Sequence, residues 1–281
     1  MIITKIKGGL GNQLFQYATG RAVALHHKLP LKLDLTWFET NKLHNGYRLD
    51  QLAIQAEIAT ENEIINLKGE SNILFSALRK VGLFKKKSYF KEKRSSNFDG
   101  GVFKNKFLYL NGYWQNELYF SNIRESLLGE LSPINSMSDL GYAYLESIEQ
   151  SNSVSLHVRR GDYLNLRNIG VLGVDYYTKA VDYIRQNVEN PTFYIFSDDL
   201  EWCKDSLGFL DNCIYVDRTQ TEIEDLKLMS FCRHNIIANS SFSWWGAWLN
   251  QNPNKVVIAP KCWLLNDTSS SNVILSDWVK V

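Results

Sequence analysis

His157-Val158-Arg159-Arg160-Gly161-Asp162-Tyr163 places two adjacent guanidiniums directly after an apolar run at residues 153–158. Two guanidiniums at one point need an anion, and phosphate suits arginine's planar fork. Asp162 offers the alternative partner, in which case the cluster is a structural ion pair. A lone histidine reads as core packing, but beside the arginines His157 reads as a ligand contact. Phe196-Ser197-Asp198-Asp199 follows a second apolar run in the same way, with at least one aspartate expected to cap the next helix. Asn239-Ser240-Ser241-Phe242-Ser243 follows a third and opens a segment holding Trp244, Trp245 and Trp248. Hydroxyls and free N–H groups at a helix N-terminus make an anion site. Together the three describe a crevice whose charge logic fits a nucleoside diphosphate.

A fourth cluster stands at the start. Gly9-Leu10-Gly11-Asn12-Gln13-Leu14 follows a short β-rich run at residues 2–6. It invites the dinucleotide fingerprint, with Asp34 near the distance expected of the ribose-binding acid. Leu14 takes the place of the third glycine and weakens that match. The amides of Asn12 and Gln13 can instead hold a hydroxyl-rich ligand, and the structural alternative is a tight βα turn that uses glycine for its backbone freedom. Tyr113 and Trp114 read either as a wall for a sugar or as buried core.

Such groups must be positioned by strand ends, and the chain supplies them. Leu14, Ala18, Ala22 and Leu25 recur at helical spacing across residues 13–26, between the first run and a second strand at residues 31–35. Further strands are expected at residues 192–196, 213–216, 235–238 and 255–259. Tyr177, Val181, Ile184 and Val188 mark a helix that ends before Asn190-Pro191. Alternating strand and helix predicts an α/β protein with two doubly wound domains facing a cleft. The Ser-, Pro- and Asn-rich residues 132–141 are the expected linker, giving domains 1–140 and 141–281.

Composition excludes other classes. Lys and Arg number 31 against 30 Asp and Glu, so there is no general field for nucleic acid. The four cysteines, Cys203, Cys213, Cys232 and Cys262, lack metal-ligand spacing. No apolar run approaches the ~18 residues of a membrane span, and the N-terminus has no signal-peptide core. A cytoplasmic protein with reduced thiols is the expectation. Residues 79–94 are strongly basic and read as a solvated excursion or as a peripheral contact with an anionic inner membrane face.

The motifs G-G-L-G-N-Q-L-F-Q-Y, N-G-Y-W-Q, H-V-R-R-G-D-Y, F-S-D-D and N-S-S-F-S-W-W-G-A-W-L resemble those of bacterial α-1,2-fucosyltransferases, across about positions 5 to 265. The resemblance implies a GT-B-type enzyme with two Rossmann-like domains, GDP-fucose as donor, no metal ion, and an acceptor glycan ending in galactose, free or lipid-linked. It puts the acceptor on the N-terminal domain and the nucleotide on the C-terminal one. By likeness to α-1,6- and protein O-fucosyltransferases, Arg159 grips the donor phosphates, His157 contacts the nucleoside and Asp225 binds guanine. Asn12 lies near the transferring sugar. Gly11, Asp198, Asn239, Ser240, Ser241 and Phe242 complete the expected donor site. The α-1,6 enzymes carry a glutamate base where this chain has Arg167, so the base is not carried over.

The implied reaction inverts the anomeric carbon while negative charge grows on the leaving β-phosphate. Arg159, Ser240 and Ser241 would stabilise that charge. Asp162 is either the base that deprotonates the acceptor's 2-hydroxyl or a support for an arginine. Two rival classes remain at this point. One is an NAD-type oxidoreductase on the opening βαβ unit, the other a non-catalytic sugar-binding protein suggested by the 8 tryptophans.

Overall fold

The computed structural model describes residues 1–41, 45–69, 88–93, 97–165, 169–217, 221–264 and 272–281. Most of the basic stretch 79–94 and Arg167 lie outside the described residues. The chain forms two compact units, Met1–Ile134 and Asn135–Val281.

The first unit runs β1 (Ile2–Lys5), α1 (Leu10–His27), β2 (Leu31–Asp34), α2 (Thr36–Thr40), β3 (Glu57–Ile58), α3 (Glu61–Lys68), β4 (Tyr89–Lys91), β5 (Leu108–Asn111) and α4 (Arg124–Glu130). Its sheet has the order β3-β2-β1-β5-β4, every pair parallel. The order reverses between β1 and β5, so their carboxyl ends flank the switch point where open α/β sheets take ligands. Helix α1 starts earlier than its apolar pattern, at Leu10, because Gly9 supplies an extended N-cap with φ −72° and ψ 170°. It is buried on most sides, and it packs tightly on β1 at Gly20. A Cβ there would lie 2.1 Å from Thr4 Oγ1. The close helix–strand packing that a third fingerprint glycine would give at position 14 is therefore made about one and two-thirds turns later. Glu130 ties α4 back to α1, accepting from Tyr17 Oη at 2.5 Å and from Arg21 Nη2 at 2.7 Å.

The second unit runs α5 (Asp139–Glu149), β6 (Asn152–Val158), α6 (Val174–Asn187), β7 (Pro191–Ser197), α7 (Leu200–Ser206), β8 (Cys213–Tyr215), α8 (Glu222–Phe231), β9 (His234–Ile236), α9 (Ser241–Leu249), β10 (Val257–Ala259) and β11 (Val279–Lys280). The sheet order is β11-β10-β9-β6-β7-β8, again all parallel. Numbered within the unit this is 3-2-1-4-5-6 read from its far edge, the doubly wound dinucleotide-fold order, with its switch point between β6 and β9. The expected α/β class and parallel sheets are present in both units. Val154, Leu156, Phe193, Ile195, Ile236 and Ile258 from four strands form the core with Tyr177 and Ile184 of α6.

The tryptophans correct one expectation. Trp114, Trp244, Trp245, Trp248, Trp263 and Trp278 are buried, and Trp244 stacks on Trp248 at 6.2 Å while its indole N–H donates to Val273 O. Trp244, Trp245 and Trp248 are core, not flat sugar-binding surfaces, because α9 carries them inside the unit. All four cysteines are free.

Candidate active site

Three strands of the second unit end together, and the register fixes how. His157 pairs with Phe196, Val158 with Ser197, and Leu156 with Ile236. The residues that follow, Arg159-Arg160, Asp198-Asp199 and Asn239-Ser240, therefore leave the sheet at one edge beside the switch point. Arg159 is held from two sides. Its Nε lies 3.0 Å from Asp162 Oδ1 and 3.2 Å from Asp198 Oδ2, and its Nη2 lies 2.8 Å from Asp162 Oδ1. Arg160 donates its backbone N–H to Asp198 Oδ1 at 2.9 Å and its Nε to Asp199 Oδ2 at 3.1 Å, and it lies over the Trp202 ring. Asp199 also caps α7 through Trp202 N, as one aspartate was expected to do. Gly161 makes this possible, since a Cβ would stand 2.6 Å from Asp198 Oδ2.

Behind the arginines His157 is 4 % exposed, with its ring 5.7 Å from that of Phe242 and its Nδ1 without a partner among the described residues. Burial first, and then the Arg159 charge, hold the imidazole well below the usual histidine range, so it is neutral at pH 7. Tyr163 Oη donates to Asn239 O at 3.3 Å, closing the site from the α9 side. Ser240 caps α9, accepting from Phe242 N at 3.3 Å, and Ser241 is the first residue of that helix. The result is a guanidinium, a neutral imidazole and a capped helix N-terminus at one switch point, a ready anion site.

Asp225 stands in the N-terminal half of α8, half-buried, whose start follows β8 at the same edge. Its neighbour Glu224 is the buried member of the pair, accepting from the N–H and hydroxyl of Ser138 at the start of α5. Among the described residues no group of three or more His, Cys, Asp or Glu is arranged to hold a metal.

In the first unit the glycine loop is built from amides. Gln13 Nε2 donates to Gly8 O and Gly46 O while its Oε1 accepts from Arg48 N, and Gln16 clasps Lys7 by its N–H and C=O. Gln13 is thus structural, which corrects its reading as a ligand-holding amide: both ends are spent on backbone. Gly11 is buried in the first turn of α1. Asn12 differs, because its Oδ1 accepts from Gln115 Nε2 at 2.8 Å, which leaves its Nδ2 as the donor end. Asp34 is fully buried and accepts from Thr36 N, Thr36 Oγ1 and Tyr109 Oη. A carboxylate so occupied is not placed to take a ribose hydroxyl. Two further groups at this edge were not singled out by sequence, Lys7 and Glu92. Lys7 Nζ lies 4.2 Å from the Tyr113 ring centre and burial lowers its pKa, while burial raises that of Glu92. Glu92 lies in the stretch least legible in sequence, and no motif marks it.

Two parallel-sheet units, the second with a guanidinium and a helix N-terminus at its strand-order switch, define a doubly wound α/β architecture. The chain belongs to glycosyl transferase family 11, whose model matches residues 1–281. It is 35% identical over 295 residues to an Escherichia coli alpha-1,2-colitosyltransferase, covering 100% of this chain and 99% of the relative. It is 28% identical over 157 residues to human galactoside alpha-(1,2)-fucosyltransferase 1, covering 51% of this chain and 43% of that protein. Its fold is shared with a mutant of Arabidopsis thaliana FUT1 solved in complex with GDP, at TM-score 0.53 and 9% identity over 91% of this chain and 69% of that one.

Proposed function

We propose that the protein is an inverting, metal-independent transferase that moves L-fucose from GDP-β-L-fucose to the 2-hydroxyl of a terminal galactose, forming an α-1,2 linkage. The observation that carries this reading is the Arg159 guanidinium, held between Asp162 and Asp198 beside neutral His157 and the capped start of α9. In this reading the 141–281 domain binds the donor. Arg159 with the hydroxyls and N–H groups of Ser240 and Ser241 takes the charge that grows on the β-phosphate. His157 and Phe242 line the nucleoside, Asn239 shapes the loop, and Asp225 accepts from guanine N1–H and N2–H₂. Asp198 and Asp162 aim Arg159. The 1–140 domain holds the acceptor, with Gly11, in the first turn of α1, facing the donor and Asn12 beside the transferring sugar. A cytoplasmic enzyme working on a galactose-terminated oligosaccharide or lipid-linked glycan fits this scheme.

A second reading concerns the donor sugar alone. A relative matched along the whole chain is named a colitosyltransferase, and colitose is fucose without its 3-hydroxyl. Thermal shift with GDP, UDP, CMP and NAD tests the nucleotide, and stabilisation by GDP alone is expected. Incubation with GDP-fucose or GDP-colitose and a galactose-terminated oligosaccharide, followed by NMR of the product linkage, tests the sugar. Stabilisation by NAD instead, or a product linked other than α-1,2, would overturn the reading.

A further inference from the structure

A cavity of about 280 Å³ opens at the carboxyl edge of the first sheet, wholly within the Met1–Ile134 unit. Its walls include Glu92, Lys93, Phe98, Asp99, Trp114 and Tyr119, which follow the ends of β4 and β5. The volume sits near the ~300 Å³ lower end of ordinary ligand pockets, room for one sugar ring and not for a chain of them.

The cavity is built around Glu92. Its Oε2 accepts from Tyr113 N at 2.5 Å and its Oε1 from Trp114 N at 3.0 Å, and each oxygen keeps a second lone pair. Trp114 is held at φ 59°, a left-handed backbone that bulky residues rarely adopt. Gly112 lets the two meet, since a Cβ there would lie 2.6 Å from Glu92 Oε2 and 2.8 Å from Trp114 Cε2. The indole N–H of Trp114 is buried with no partner among the described residues. A buried donor left unpaired is costly, so this one calls for an acceptor. Tyr119 Oη is occupied, accepting from Asp99 N and donating to Asn97 O, so it serves as wall. Phe98, 43 % exposed, offers a free aromatic face 4.9 Å from the Tyr119 ring. Two carboxylates here, against the outlying Lys93 ammonium 3.7 Å from Asp99 Oδ2, disfavour an anionic ligand.

We propose that this cavity binds one neutral pyranose of the acceptor glycan. Glu92 and Asp99 accept from its hydroxyls, the Trp114 indole donates to one of its oxygens, and Phe98 covers its apolar face. That the sugar is the acceptor rests on the transferase reading above; that it is a neutral sugar rests on the cavity alone.

Saturation-transfer NMR on the full chain, with methyl β-galactopyranoside or methyl β-glucuronide and no nucleotide, tests the site directly. The galactoside is expected to show transfer and the glucuronide to bind at least about tenfold more weakly. Phe98→Ala, at an exposed position that leaves the fold intact, is expected to raise the acceptor KM about three- to tenfold with kcat and GDP affinity kept. Glu92→Gln is expected to abolish galactoside transfer; should that variant fail to fold, Phe98→Ala and the galactoside–glucuronide comparison decide. Equal signals from the two sugars, or an unchanged acceptor KM in Phe98→Ala, would overturn the proposal. Absence of GDP binding would overturn the donor reading instead, because the NMR experiment uses no nucleotide.

Discussion

In the proposed donor site Arg159 is aimed in advance. Two carboxylates fix the guanidinium at 2.8–3.2 Å, so little reorganisation is needed when phosphate charge develops. Arg159→Ala is expected to lower transfer by ~10²–10³ with the melting temperature nearly unchanged, because the side chain is part-exposed at a loop. Retention of more than half the wild-type turnover would remove it from the chemistry. Asp162→Asn separates two roles for its carboxylate. One of its oxygens takes both Arg159 nitrogens, so the expected outcome is that GDP affinity and kcat fall together while the acidic limb of the pH–rate profile persists. A fall of ~10² in kcat alone, with that limb gone, would make Asp162 the base. His157 carries a third expectation. Its folded pKa lies below the unfolded value of 6.5, so below about pH 6.5 the unfolded chain binds more protons. Stability then falls with falling pH, by up to ~1.4 kcal/mol per pH unit for this one group. His234 and His27 are held low by burial as well. Urea unfolding at pH 7, 6 and 5 is therefore expected to show a slope that His157→Gln reduces without abolishing; an unaltered slope would mean the imidazole is not kept neutral by the fold.

At the scale of elements, what sequence made legible was periodicity. The helix face at Tyr177, Val181 and Ile184 and the β-rich runs before the glycine loop, the arginine motif, the Asp198-Asp199 pair and Asn239 are found as read, to within a few residues at their ends, whereas β5 before Asn111-Gly112 was not read. The two- and three-residue strands β3, β4 and β11 were not legible, because so short a run carries no alternation and exists only by pairing with β2, β5 and β10. Gln13 and Gln16 were equally opaque, since an amide's partner here is backbone that local sequence does not announce. Gly20 shows the same limit: nothing in an amphipathic pattern says that one position must lack a Cβ. Gly20→Ala is expected to destabilise the protein by ~1–3 kcal/mol through the clash with Thr4 Oγ1. The double variant with Thr4→Ala should recover part of that loss in chemical denaturation, because Thr4 Oγ1 has no hydrogen-bond partner among the described residues. Additive losses would place the strain elsewhere, at Leu31 Cδ1, 3.0 Å from the same point.

At the scale of the molecule, alternating strand and helix was enough to read two parallel α/β units, and the strand-end motifs pointed to the three strand ends that the register brings together. The residues at the first unit's edge were harder. Glu92 and Trp114 lie 22 residues apart and meet only because β4 and β5 are neighbours in the sheet. The second unit also decides what the enzyme needs from solution. Leaving-group charge on a β-phosphate must be met by a cation or by aimed donors, and in the proposed mechanism Arg159, Ser240 and Ser241 meet it, at the one edge where the sheet order switches. The carboxylate partners of Arg159 keep its guanidinium in place before the donor arrives. Transfer is accordingly expected to proceed at full rate in EDTA, and added Mg²⁺ or Mn²⁺ should change it by less than about twofold. Arg159→Lys, which keeps the charge but loses the fork, should remain slow in either metal. Activity lost on chelation and restored by Mn²⁺ would assign the phosphate charge to a metal ion instead, and Arg159 would then be left to orient the donor alone.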